Sequence, residues 1–228
     1  MLPPVSVIMP VYNSARFLRE AIESVLAQDY PELELIIIDG ASTDGTEAIA
    51  GSFGRRLAYY RTERDNVSIA KNFGIGKARH GIIAFMSGDD AWLPQKLAMQ
   101  AGLLVSQPEC AIAICRFRYF LHEGCAWPAN FPERLRTGDH TGRICETLVC
   151  RREAFAQAGL FDERLETAED VDWYARAQHA GLAVGEVPEV LLHKRVHDRN
   201  ISLTSPSGRN DLMRALGESI RRKKAATP

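Results

Sequence analysis

The run Gly81-Ile82-Ile83-Ala84-Phe85-Met86 is apolar without interruption and leads, through Ser87-Gly88, into two adjacent carboxylates, Asp89 and Asp90. An alternating pattern marks a strand with one wet face. A continuous one marks a strand covered on both faces, as in parallel sheets with helices above and below. Such sheets take their ligands just beyond the carboxyl ends of their strands, which is where Asp89 and Asp90 fall. An Asp-Asp pair also suits a surface turn or a helix start, so the rest of the chain decides between the two.

The first half alternates strand and helix patterns over short connections, the signature of a layered α/β sheet. Val5–Met9 reads as the first strand and Leu33–Ile38 as the second. Between them Phe17, Leu18, Ala21, Ile22, Val25 and Leu26 recur on one helical face, predicting a helix from about Ser14 to Ala27 with Ser14 or Asn13 as its cap. The loop Asp39–Gly45 leads into a short helix, and Leu57–Tyr60 is a third strand. A helix from Ser68 carries Lys71 and Asn72 and returns to the strand before Asp89. Leu93-Pro94 opens another helix running to about Ser106, and Ala111–Phe120 is a further strand. From Gly124 to Gly142 the pattern dissolves into a long loop or lid. Regular structure resumes with Thr147–Cys150, a short helix at Glu153–Ala158 and a helix from about Glu169 to Ala180. Two short strands follow within Ala183–Val196, broken near Pro188.

The composition of 228 residues, 46% hydrophobic and 25% charged with a net charge of -1, fits one compact domain rather than a disordered chain. Near-neutrality excludes a nucleic-acid binder that relies on a broad basic field. Five cysteines without a Cys-x-x-Cys pair support neither a closed disulfide framework nor a zinc knuckle, so a reducing cytoplasm is expected. Met1-Leu2-Pro3-Pro4 lacks a basic leader, and no run approaches the ~20 apolar residues of a membrane span. The expected location is cytoplasmic, with peripheral contact to the cytoplasmic membrane as a further option.

The first strand ends in Met9-Pro10-Val11-Tyr12-Asn13, without glycine. A dinucleotide-binding turn or a P-loop would need a Gly-rich backbone cradle for phosphate, and neither pattern occurs in the chain. A diphosphate bound by this sheet therefore needs its charge offset by a divalent metal and basic side chains. Asp89 and Asp90 are the candidate ligands, since Mg²⁺ and Mn²⁺ favour carboxylate oxygen shared with phosphate. Asp39, ending the second strand, can accept from a base N–H or a ribose hydroxyl, and Tyr12 can stack on the base. A turn Asp and a packed Tyr are the structural alternatives.

Five ordered stretches carry a family likeness: Val5–Asn13, Ile38–Thr46, Ala70–Ile75, Asp89-Asp90-x-Trp92 and Gly159–Glu163. Together they resemble the family 2 glycosyltransferases, covering residues 5 to about 204. The resemblance implies a GT-A-like three-layer α/β/α sandwich with a mostly parallel central sheet; residues 1–208 are read as this domain, and 209–228, which the resemblance does not cover, as a basic amphipathic helix and tail. It also implies an inverting transfer from a nucleotide-diphosphate sugar, usually a UDP-sugar, with Mn²⁺ or Mg²⁺, to a glycan, lipid-linked or peptide acceptor. By position, Pro10, Val11 and Tyr12 would line the base pocket and Asp39 would bind uracil or ribose. Lys71 would face the donor, and Asp89, with Asp90 beside it, would ligate the metal. Ser87-Gly88 stand where the family's acidic motif often begins with Asp or Asn, so this site carries less charge. Thr167–Trp173 resembles the family's Glu-Asp motif, making Asp170 the general base and Glu169 a sugar-holding residue, with Asp172 a helix-start acid favoured by the dipole. Late in the chain, His197 is the second metal candidate, with His193 its competitor, and Arg195 can neutralise phosphate.

A nucleotidyl transferase is disfavoured because its Gly-rich first loop is missing. A non-catalytic sugar-nucleotide-binding or scaffold module on the same fold is the alternative from another class. At the C-terminus Leu212, Met213, Leu216 and Ile220 form an apolar stripe followed by Arg221-Arg222-Lys223-Lys224, suited either to an anionic membrane surface or to a solvated helix packed on the domain.

Overall fold

The computed structural model describes residues 1–63, 66–129, 131–200 and 208–225. Strands β1 (Val5–Val11), β2 (Leu33–Asp39), β3 (Ala58–Arg61) and β4 (Ile82–Phe85) run parallel in the order β3-β2-β1-β4. Helices α1 (Leu18–Leu26), α2 (Thr46–Gly51) and α3 (Val67–Lys77) make the crossovers. Alternation along β1 sorts the layers: Val5, Val7 and Met9 meet Leu18, Ile22 and Val25 of α1 on one face. Ile8, on the other face, shares a core with Ala70 and Ile75 of α3. Helix α4 (Lys96–Ser106) joins the first layer, while α5 (Glu153–Ala158) and α6 (Glu169–His179) join the second. The three-layer expectation is met.

Beyond β4 the sheet becomes mixed. Strand β8 (Val149–Arg151) lies antiparallel to β4 and to β6 (Cys110–Leu121), and β6 pairs in parallel with β9 (Ala183–Val196). The two-residue β5 (Ala91–Trp92) closes the order antiparallel to β9. Within the expected loop at 124–142, one helical turn forms at Glu133–Leu135 and β7 (His140–Thr141) pairs with β6.

Three expectations are corrected. Strand β1 continues through Pro10 because neighbouring residues face alternate sides: the Ile8 carbonyl accepts from Met86 N toward β4, and that of Val11 accepts from Gly40 N toward β2. The missing N–H of Pro10 thus faces the side where β4 has already ended, and no ladder bond is lost. Helix α1 starts at Leu18, with Phe17 at its N-cap and no side-chain cap. Asn13 and Ser14 do not cap it, because Asn13 Oδ1 accepts from Thr43 N of the neighbouring loop and Ser14 Oγ donates to the Tyr12 carbonyl. Strand β9 is unbroken at Pro188. Cys115 pairs with Val187 and Arg116 with Val190, so Pro188 and Glu189 bulge out of the ladder instead of ending it.

Helix α7 (Gly208–Ala225) packs against α6. Among the described residues no helix is long and apolar enough to cross a membrane. All five cysteines are free thiols.

Helix α3 lies so close to β1 that a Cβ at Gly74 would sit 2.4 Å from Cγ2 of Ile8. Gly74→Ala gains about 1 kcal/mol of helix propensity but overpacks a β-branched neighbour at a cost of about 1–3 kcal/mol. The expected outcome is a net loss of stability, read as a lower urea midpoint at unchanged slope.

Candidate active site

The carboxyl ends of β1 and β2 are level in the sheet, since Val11 pairs with Asp39, while β4 ends at Phe85 opposite Ile8. The loops leaving β1 and β2 are tied to each other. Asn13 N donates to Ser42 Oγ at 2.8 Å, Thr43 N to Asn13 Oδ1 at 2.9 Å and Ala15 N to Asp44 Oδ2 at 3.0 Å. Asn13 and Ala41 hold φ values of 46° and 67°, and the third non-glycine residue in the left-handed region, Ala168 at 58°, directly precedes Glu169-Asp170. Each such backbone costs about 1–3 kcal/mol and persists only where surrounding bonds fix it.

Pro10 and Val11 end β1, Val11 buried, and Tyr12 follows at 38% exposure, open to a planar ligand. Gly88 packs beneath: a Cβ there would lie 3.0 Å from both Ser14 Oγ and Val11 Cγ1. Asp39 is fully buried. Its Oδ1 accepts from Ser42 N at 2.8 Å, and its Oδ2 accepts from Tyr59 Oη at 2.5 Å and faces Arg61 at 3.5 Å. Burial and this bond to a carboxylate push the Tyr59 phenol well above its usual range. A carboxylate offers about four acceptor positions, so one remains.

The acid pair at β4 divides. Asp89 points outward, and its Oδ2 lies 3.0 Å from His197 Nε2 and 3.2 Å from Asn200 Nδ2. Asp90 points inward, accepting from Arg195 N at 2.8 Å and Lys194 Nζ at 3.1 Å. Asp90 thus welds the β4 loop to β9. Arg195, expected to meet phosphate, is buried between Phe17 and Phe120, with its guanidinium on the Asp89 carbonyl at 2.8 Å and on Glu20 at 2.6 Å. It braces the acidic loop from behind. Ser87 Oγ donates to Glu146 at 2.7 Å, and Glu146 also faces Lys194 at 3.2 Å. Two carboxylates therefore share one ammonium. Burial raises both, but the lysine and the Ser87 hydroxyl hold Glu146 below its usual range, so the proton cost falls on Asp90, which is pushed up.

Helix α6 supplies the other wall. Trp173 and Tyr174 anchor it in the core, and its first turn carries Glu169 and Asp170. Lys71 of α3 is buried and pairs with Glu169 at 2.5 Å. Burial works against the charge of Lys71, but Cys145, Glu169, Glu146 and Asp170 hold its pKa well above the usual lysine value. Asp170 is half-buried. Burial first, and the adjacent Glu169 second, raise its carboxyl to about 7, with Lys71 opposing. An acid whose folded pKa is raised costs stability increasingly between pH 3.8 and about 7, and fully above that. Glu146 acts on both Asp90 and Asp170, joining the two walls electrostatically. Asp172, expected as a helix-start acid, is a buried hub pairing Arg176 and Arg222, each at 2.8 Å.

Three contributors escaped the sequence reading: Glu146, Lys194 and Asp211. Asp211 of α7 is buried, and its Oδ2 accepts from Glu166 N and Thr167 N at 3.1 Å and from Thr167 Oγ1 at 3.3 Å. It fixes the turn just before Ala168. His193 lies on β9 opposite Ala91, against Phe120, and is not among the partners of Asp89.

Among the described residues no three His, Cys, Asp or Glu side chains gather into a metal site. Asp89 and His197 are a two-residue donor set of the O,N type that Mn²⁺ or Mg²⁺ accepts when a ligand's phosphates complete the shell. The ring's Nδ1 accepts from Arg199 N at 3.1 Å, which leaves the neutral imidazole proton on Nε2, facing Asp89. Ligation through Nε2 would move that proton to Nδ1 and release the Arg199 amide.

Residues 6–163 match the sequence profile of glycosyl transferase family 2. An uncharacterized glycosyltransferase of Rickettsia typhi, RT0329, is 30% identical over 215 residues, covering 89% of this chain and 67% of that protein. S. aureus TarS 1-349 in complex with UDP-GlcNAc superposes with a TM-score of 0.79 at 18% identity, over 96% of this chain and 66% of that one. The mannosyltransferase PcManGT from Pyrobaculum calidifontis, in complex with GDP-Man and Mn²⁺, gives a TM-score of 0.75 at 24% identity, over 97% and 65%. These likenesses show the GT-A fold. The chain spans about two thirds of the length of these proteins.

Two substitutions probe the cleft directly. Lys71→Met removes the cation that opposes protonation of Asp170, so its carboxyl should titrate above about 7, read from the side-chain carbon shift. Asp211→Ala leaves the Glu166 and Thr167 amides without this acceptor, and should cost about 1–3 kcal/mol in denaturant unfolding.

Proposed function

Because this chain belongs to glycosyl transferase family 2, we propose that it transfers a sugar from a nucleoside diphosphate donor, a UDP-sugar, to an acceptor hydroxyl with inversion at the anomeric carbon. The observation that carries this reading is Asp170. A half-buried carboxylate raised to about 7 stands in the first turn of α6, beside the Lys71–Glu169 pair. A base whose pKa lies near the working pH combines availability with proton affinity.

In this reading the nucleoside lies on Tyr12 over Pro10 and Val11, and Asp39 offers its remaining acceptor position to a base N–H or ribose hydroxyl. The sugar lies between the two walls. The acceptor oxygen forms its bond to the anomeric carbon on the face opposite the diphosphate. The carbon–oxygen bond to the diphosphate breaks, and the acceptor proton passes to Asp170. Glu169, neutralised by Lys71, is a hydrogen-bond acceptor for sugar hydroxyls rather than a second base. A divalent cation held by Asp89 and His197 would supply charge neutralisation for the departing diphosphate. Ser87 adds no charge, and its hydroxyl is engaged by Glu146. The two O,N donors at Asp89 and His197 therefore carry the metal contact in this proposal. Glycan, lipid-linked and peptide hydroxyls all fit the proposed acceptor role, and a cytoplasmic setting is part of the proposal.

The test is turnover and binding with UDP-sugars and Mn²⁺. Asp170→Asn should lower turnover by about 10²–10⁴-fold with UDP affinity retained, and the wild-type kcat/KM should fall as pH drops through about 7. Asp89→Ala should abolish the Mn²⁺-dependent part of UDP binding. Wild-type turnover in Asp170→Asn would refute the base assignment.

A further inference from the structure

Helix α7 is mounted the wrong way round for a helix that only completes a soluble domain. An amphipathic surface helix ordinarily turns its apolar stripe to the core and its charges to water. Here the docked face is polar: Asp211 holds the 166–167 turn, Glu218 pairs Arg164 and Arg222, and Arg222 reaches the buried Asp172. Ala215 is the buried apolar residue between them. Leu212, Met213, Leu216 and Ile220 fall on the opposite arc and are 40%, 64%, 43% and 55% exposed. Single exposed apolar residues are ordinary, but four on one arc of one helix form a patch.

Charge decides what covers it. The helix carries six basic and two acidic residues, and both acids together with Arg222 are engaged within the domain by the contacts just given, which leaves a positive excess. A second copy packed symmetrically on this face would bring the same positive excess against itself. An anionic surface with an apolar interior complements both the stripe and the charge.

We propose that α7 is an interfacial anchor that rests its Leu212-Met213-Leu216-Ile220 face in the headgroup region of an anionic lipid bilayer, with Arg221 at the lipid phosphates. The contact is peripheral and reversible. It also places the membrane on the element that, through Asp211, fixes the turn before Glu169-Asp170, so the catalytic cleft is carried close to lipid-borne molecules.

The experiment uses the full chain and vesicles of phosphatidylcholine alone or mixed with phosphatidylglycerol. Co-sedimentation is expected with the mixed vesicles and not with the neutral ones, weakening as salt is raised. Leu216→Asp/Ile220→Asp should reduce it by about tenfold or more, with melting temperature and circular dichroism unchanged because both positions are exposed. If that variant unfolds, Leu212→Ser/Met213→Ser serves with the same expectation. No binding to anionic vesicles, or undiminished binding by a folded variant, would overturn the proposal. So would a wild-type dimer in sedimentation velocity that the variant dissociates, since a second copy would then cover the face.

Discussion

Two ammonium groups, the buried Lys71 and the partly buried Lys194, determine how much negative charge the cleft can hold. Lys71 is committed to Glu169, and Lys194 is divided between Asp90 and Glu146. Removing a buried ion from water is costly, and the mutual attraction offsets this only when the remaining hydrogen bonds are also made. Here they are: Ser87 serves Glu146, and the Arg195 amide serves Asp90. Burial raises both Asp170 and Asp90, with Lys71 opposing the first and Lys194 the second, while Asp89 stays at the rim with His197 and Asn200.

The parallel half of the fold was legible because its signals are local. Continuous apolar runs, helical periodicity and short connections identify β1 to β4 and their crossovers, and the strand ends locate Asp39 and Asp89 without reference to distant residues. Glu169 and Asp170 came from resemblance, and the raised carboxyl of Asp170 gives that placement a physical reading of its own. The mixed half was less legible. Whether β8 runs with or against β4 depends on where the chain returns, and nothing within Val149–Arg151 records it.

The errors share one cause, which is neighbours remote in sequence. Asn13 has the chemistry of a helix cap, but the loop after β2 takes its side-chain oxygen through Thr43 N. Pro188 has the chemistry of a strand breaker, yet β6 gives β9 a long partner on which two residues can be left unpaired. Arg195 has the chemistry of a phosphate ligand, but Phe17, Phe120 and Glu20 converge on it from three elements. Glu146 and Lys194 carried no local motif, and only the packing of the segment after β7 against β9 brings them together.

The bulge at Pro188-Glu189 has a bearing on which length changes the family scaffold can absorb here. Side chains beyond it alternate between the two faces of the sheet, and Lys194 and Arg195 meet Asp90 only in the present phase. Loss of a single residue from this segment, if the ladder re-formed without the bulge, would exchange the faces of Lys194 and Arg195, leaving a carboxylate buried without its cation. Insertions and deletions should therefore be purged from the apparently unremarkable turn of chain around Pro188.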